Sequence, residues 1–122
     1  MTYIVVNKFK DFNMIYIGNA FSLQMLKQNC KMAITSADIN EVRQEIANNE
    51  FTSCIGHENL ACVAGQALGG LSVDRLFHRI DICLLPGDTL YVCQLIGGRL
   101  KKDCTKLPKD VKFVWKKVII EE

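Results

Sequence analysis

The stretch Leu90-Tyr91-Val92-Cys93-Gln94-Leu95-Ile96 is apolar at both alternating sets of positions, with Gln94 its one polar side chain. Successive strand residues point to opposite faces of a sheet, so a run with no polar face belongs at the centre of one. An amide in such a strand needs a hydrogen-bonding partner or a ligand. Just upstream, Leu76 to Leu85 reads as a second strand, with Ile80, Ile82 and Leu84 on one face and Arg79, Asp81 and Cys83 on the other. Pro86-Gly87-Asp88 marks a turn between the two, which predicts an antiparallel hairpin.

The rest of the chain alternates strand and helix signals. Residues 1–13 read as an addition, either a short N-terminal extension or the product of an early start codon. The domain proper then spans 14–122. Met14 to Ile17 is β-favouring, and Gly18-Asn19-Ala20-Phe21-Ser22 turns the chain into a short helix. Ser22 suits the N-cap of that helix, with Leu23 and Leu26 on one face. Lys31 to Thr35 is a further strand. Asp38 and Glu41 have the spacing of a capping box, and Ile39, Val42 and Ile46 give the helix that follows one apolar face. Val111 to Ile120 is the last strand, with Phe113 and Trp115 on one face. The sum is an α/β protein: a small mixed sheet of about five strands flanked by about three helices, in a single domain.

The chemistry concentrates at Cys54-Ile55-Gly56-His57-Glu58. Leu60, Val63, Ala64, Ala67 and Leu68 recur at helical spacing, and Gly69-Gly70 stops the helix. Gly56-His57 therefore sits at a helix N-terminus, where backbone N–H groups and the helix dipole favour an anion. A glycine lets a ligand approach the backbone, and an imidazole beside a phosphate can donate a proton. A surface histidine or a minor cap explains the same residues without a ligand.

Charge and cysteine usage narrow the classes. The formal net charge of +2 over 122 residues does not suit a binder of duplex nucleic acid, although a compact anion held by a few arginines needs no more. No stretch is long and apolar enough to span a membrane, and the N-terminus has no signal-peptide pattern, so a cytosolic setting is expected. Among the six cysteines there is no C-x-x-C pair, and neither His57 nor His78 stands at zinc spacing from one; no metal and no cofactor is expected. Cys54, Cys62, Cys83 and Cys93 lie in apolar contexts and read as small buried hydrophobes.

The ordered set Ile17-Gly18-Asn19-Ala20-Phe21-Ser22, Ile55-Gly56-His57-Glu58, Arg79, Pro86-Gly87-Asp88, Gln94 and Arg99-Leu100 resembles the viral ring nucleases. These are type III anti-CRISPR proteins that destroy cyclic tetra-adenylate, and the likeness runs from about Met14 to Ile120. It implies a small α/β homodimer that encloses the cyclic nucleotide at the dimer interface. It implies metal-independent cleavage by the ribose 2′-OH, leaving linear di-adenylates with 2′,3′-cyclic phosphate ends. On this resemblance His57 is the catalytic acid, and Asn19, Phe21, Ser22, Gly56, Arg79, Gln94 and Arg99 bind the ligand. The chain departs from the family pattern at Asn59-Leu60, where relatives carry Ser-Thr, and at Gly97-Gly98, which lengthens the approach to Arg99. Lys101 and Lys102 stand where relatives have glutamates, which leaves open what orients the 2′-OH. A protein that sequesters the nucleotide without cutting it, and a structural or interaction protein with no nucleotide ligand, are the alternatives.

Overall fold

Ile15–Gly18 form β1, and this short strand has a parallel partner on each side: Thr52–Cys54 (β3) and Thr89–Ile96 (β4). Residues 13–100, 106–109 and 111–121 are described in a computed structural model. Residues 1–12 of the expected N-terminal extension lie outside them, as do Lys101, Lys102 and Cys104. Lys112–Ile120 (β5) runs antiparallel to β4, and Met32–Ala37 (β2) runs antiparallel to β5. The strand order is β2-β5-β4-β1-β3, a five-stranded mixed sheet. Three α-helices complete this small single-domain α/β fold: Ile39–Asn48 (α1), Glu58–Ala67 (α2) and Val73–Leu76 (α3).

Strand alternation builds two cores. On one face Ile17, Tyr91, Cys93 and Trp115 pack against Val42 and Ile46 of α1 and Leu60, Ala61 and Ala64 of α2. Phe113 meets Trp115 edge-on, with ring centroids 5.4 Å apart, as their shared strand face leads one to expect. On the other face Leu90, Val118 and Ile120 are covered by Phe21, Met25, Leu26, Ile82 and Leu84. The centrality of Leu90 to Ile96 is therefore correct at the start of β4, where Leu90 and Tyr91 have no exposed surface. It fails at the end, where Gln94 is exposed and Ile96 is 49% exposed. The covering segments do not reach that far, so Gln94 needs no buried partner.

The expected hairpin does not form. Both edges of β4 are taken, by β1 and β5, and no edge is left for a strand over Leu76–Leu85. That stretch instead begins as the last residue of α3 and continues as irregular chain. Its backbone forms two isolated parallel bridges, Ile55 with Phe77 and Leu26 with Leu84. Its alternation of apolar and polar residues serves to lay Ile82 and Leu84 onto the second core. The strand count survives because Thr52–Cys54, not expected as a strand, is one.

Local capping explains the helix ends. Asp38 accepts a bond from the Asn40 backbone N–H at 2.7 Å, which starts α1. Glu41 does not close the capping box. Its carboxylate accepts from Lys117 at 2.9 Å and from the Tyr91 hydroxyl at 3.4 Å, which ties α1 to β5 and β4. At the end of α2, Gly69 and Gly70 take φ of 94° and 99°, and the Gly70 N–H returns to the Gly65 carbonyl at 2.8 Å. Gly65 is obligatory for another reason: a Cβ there would lie 2.2 Å from the Leu71 carbonyl oxygen. Of the cysteines expected to be buried, Cys93 is fully so, and Cys54, Cys62 and Cys83 are half-buried. Burial pushes the Cys93 thiol up to about 12 and raises Cys54 as well.

The Glu41–Lys117–Tyr91 cluster makes stability fall in alkali. Burial pushes the Tyr91 phenol up to about 12, against the opposing pull of Lys117, while the hydrogen bond to Glu41 raises Lys117. Both groups hold their protons more tightly when folded than when unfolded. Their stabilisation is complete below the unfolded pKa values of roughly 10 and is lost as pH rises through the folded ones. The urea midpoint is expected to begin falling near about pH 9, where the Cys93 and Cys54 thiols, also raised on folding, start to ionise in the unfolded chain, and to fall more steeply above about pH 10 as Tyr91 and Lys117 join them. Tyr91→Phe should make that fall shallower, and an equal fall in the variant would remove Tyr91 from the account.

Candidate functional site at the carboxyl ends of the parallel strands

Because β1 and β3 are parallel neighbours, the loops that follow them leave from the same end of the sheet. Open α/β sheets bind ligands at that end. Asn19 follows β1, and Gly56-His57 follow β3. The Asn19 side-chain carbonyl accepts the Gly56 backbone N–H at 3.0 Å, so the two loops are joined by one bond. This bond uses the acceptor of the Asn19 amide and leaves its NH₂ as the donor toward a ligand.

His57 is the N-cap residue of α2, with extended backbone, and its imidazole makes no capping bond. It is exposed beyond the sheet end. Its carbonyl accepts the first helical bond, from Ala61 at 2.9 Å. Within the first turn the Leu60 N–H is turned toward the Asn59 side chain at 2.8 Å, and Glu58 adds a negative charge. The anion-attracting character of this helix start is thus weaker than an uncapped end would give, and an anion here depends more on arginine. Gly56 has no left-handed φ, and a Cβ at that position would meet only the Arg79 Cγ, at 3.8 Å. The fold does not demand glycine there.

Arg79 reaches the same place by a route the sequence did not suggest. The Ser53 hydroxyl, buried in β3, donates to the Leu76 carbonyl at 2.6 Å. The His78 backbone N–H donates to the Ile55 carbonyl at 3.0 Å. Arg79 Nε then donates to the Gly56 carbonyl at 3.1 Å. These bonds lay residues 76–79 alongside β3 and its extension. The Arg79 guanidinium also sits over the Phe77 ring, 5.5 Å from its centroid. Among the described residues no bond engages its Nη1 or Nη2, so the fork is positioned but not consumed. His78, expected on a strand face opposite Arg79, is not in a strand. Its imidazole Nε2 lies 3.0 Å from the Arg75 carbonyl and caps α3 from outside.

The remaining candidates are more scattered. Ser22 caps the 3-10 helix Leu23–Met25, its hydroxyl accepting from the Gln24 N–H at 3.3 Å. Phe21 is half-buried and packs into the second core. Gln94 lies two residues beyond Val92, the residue paired with Gly18 at the end of β1, so it belongs to the same sheet end. Arg99 is exposed beyond Gly97, whose φ is 98°. No described hydrogen bond or ion pair links Gln94 or Arg99 to the Asn19–Gly56–Arg79 group. Two residues outside the candidate set, Ser53 and Asp88, play structural roles. Asp88 is 3% exposed and accepts from the Met14 N–H at 3.0 Å and the Leu85 N–H at 2.8 Å, which fixes the start of β1 against the 85–88 turn. A buried serine inside a strand carries no signal of its own. Among the described residues no three His, Cys, Asp or Glu side chains gather at metal-binding range, and no helix is long and apolar enough to cross a membrane.

A mixed sheet whose parallel strands end in an Asn–Gly-His–Arg group defines an α/β protein with a polar, arginine-bearing edge. The profile of the STIV B116-like family matches residues 15–114, and the chain belongs to that family. Among solved structures the chain is similar to B116 of Sulfolobus turreted icosahedral virus, with a TM-score of 0.72 and 18% identity over 88% of this chain and 99% of that one. At that identity the likeness speaks for the fold. No curated protein matches the chain.

The Asn19–Gly56 bond gives a direct test of the geometry. Asn19→Ala should cost roughly 1 kcal/mol of stability and speed amide exchange at Gly56 well before global unfolding. Unchanged exchange at Gly56 would mean that the two loops are not coupled.

Proposed function

We propose that the protein is a ring nuclease that cleaves cyclic tetra-adenylate and so blunts type III CRISPR defence. The observation that carries this reading is the convergence of Asn19, Gly56-His57 and Arg79 at one sheet end, held by two hydrogen bonds. The ordered motifs of the chain supply the substrate. The family's naming after a protein of a virus supports a viral setting.

In the proposed reaction a ribose 2′-oxygen attacks its own 3′-phosphorus. The P–O5′ bond breaks, and a 2′,3′-cyclic phosphate forms. His57 gives its proton to the departing 5′-oxygen, and the 2′-hydroxyl proton passes to solvent. No atom is added, so two such cuts turn the ring into two di-adenylates with cyclic phosphate and 5′-hydroxyl ends. The Arg79 fork neutralises the non-bridging oxygens, whose charge is most crowded as the fifth P–O contact forms. The Asn19 NH₂ donates to the same phosphate. Gly56 leaves the backbone bare where the nucleotide lies closest.

The partner in this reading is a second copy of the chain. A cyclic tetranucleotide repeats its phosphates by rotation, so a two-fold dimer offers equivalent His57 residues to opposite phosphates. Gln94 and Arg99, unattached to the site within one protomer, are then placed to close over the ligand. Sequestration without cleavage is the second reading. It is favoured by the His57 imidazole, which no described bond orients for proton transfer. Stoichiometric capture with intact ligand recovered would select it.

His57→Ala is expected to lower the single-turnover cleavage rate by about 10²- to 10⁴-fold while the affinity for cyclic tetra-adenylate changes little. Chelator should leave the wild-type rate unchanged. Cleavage by His57→Ala at the wild-type rate would end the assignment of the acid.

A further inference from the structure

Arg79 is held by more than its Nε bond: its guanidinium rests over the ring of Phe77, which no step of the proposed reaction uses. Phe77 is the C-cap residue of α3, in extended conformation, with φ of −83° and ψ of 101°. Its N–H donates to the Val73 carbonyl at 2.7 Å, and its backbone bridges Ile55, the residue after β3. In extended chain the side chains alternate, so residues 77 and 79 share one side and residue 78 takes the other. The contacts follow that rule. The Phe77 ring lies under the Arg79 guanidinium, while the His78 imidazole turns to the Arg75 carbonyl.

The ring is a fixed platform for a mobile group. Phe77 is half-buried and packs on the edge of the first core, whereas Arg79 is exposed. The guanidinium carbon is 5.5 Å from the ring centroid, inside the roughly 6 Å over which an aromatic face attracts a cation. What the ring adds is orientation. The bond from Nε to the Gly56 carbonyl, at 3.1 Å, holds one donor of the planar group but lets the plane swing about that bond. A second contact, on the face of the plane, stops the swing. With Nε engaged, the edge of the guanidinium that still offers two donors is the Nη1–Nη2 edge.

We propose that Phe77 is a positioning residue, whose ring holds the Arg79 guanidinium so that its Nη1–Nη2 edge meets the phosphate beside His57. The inference rests on the strand-end site cleaving a cyclic oligoadenylate, and it adds a side chain that acts through Arg79 and not on the ligand. An unsupported arginine gives up its rotamers when the phosphate arrives; here they are given up on folding. The attraction of a ring for an exposed cation is weak, so its loss costs a small and measurable factor in rate.

The test replaces Phe77 by phenylalanines bearing one, two and three ring fluorines, which withdraw charge from the ring face with little change in its size. Single-turnover cleavage of cyclic tetra-adenylate is measured for each, beside affinity for the intact ring on the His57→Ala background. The rate is expected to fall stepwise with fluorine number, by about two- to fivefold over the series, with a smaller change in affinity. A ring that only packs against the core gives no such steps, and thermal melts identify any variant whose fold has changed. The Arg79 Nε–H resonance of the ligand-free protein reads the same contact without a reaction: Phe77→Leu removes the ring current and should shift it. A rate independent of fluorine number, or an Arg79 resonance unmoved by Phe77→Leu, overturns the role of Phe77 and leaves the strand-end site standing. No cleavage of cyclic tetra-adenylate by the wild type overturns both.

Discussion

Parallel pairing of β1 with β3 is the constraint from which the rest of the site follows. Two adjacent parallel strands must deliver their following loops to the same end of the sheet, and here those loops carry Asn19 and Gly56-His57. With β4 parallel on the other side of β1, the end of that strand arrives there as well. An antiparallel arrangement of the same segments would put Asn19 and His57 at opposite ends. The hydrogen bond from the Gly56 N–H to the Asn19 side-chain oxygen fixes the separation of the loops. It also decides which half of the Asn19 amide is offered outward.

The second determinant is the lacing of residues 76–79 to β3. Ser53 to Leu76, His78 to Ile55 and Arg79 to Gly56 form a short ladder, whose first bond is buried and whose last is exposed. Arg79 is thereby held against the backbone of the residue before His57. A long flexible cation becomes a positioned fork, at the cost of one of its five donors. The same segment then runs down the second face of the sheet, where Ile82 and Leu84 cover Leu90 and Val118. One stretch of chain thus carries a charge at the site and core packing behind it.

Much of this was legible in the sequence, and the misses have physical causes. The helix over residues 58–67 and its glycine stop, the Asp38 and Ser22 caps, and the strands at 15–18 and 112–120 each follow from local signals of period, cap or β-branching. The placement of Arg79 was not legible, because alternating Arg79-Ile80-Asp81-Ile82-Cys83-Leu84 satisfies a strand pattern equally well when only one face is used. Whether such a run pairs depends on a free sheet edge, and β5, far along the chain, occupies the one it would need. Gln94 was misjudged for a related reason: sequence gives the face of a side chain but not how far along the strand the opposite layer extends. The candidate group at Asn19, Gly56, His57 and Arg79 was named from motif order, and the structure adds the bonds that gather it.

The most direct measurement of the central claim is a titration of isotope-labelled protein with a 2′-deoxy cyclic tetra-adenylate, which can bind but has no nucleophile. The account predicts saturable NMR shift changes at the Gly56 amide, the His57 imidazole and the Arg79 Nε–H, larger than anywhere on the β2–β5 side of the sheet. Shifts confined to that other side, or none at the strand-end residues at saturating ligand, would contradict it.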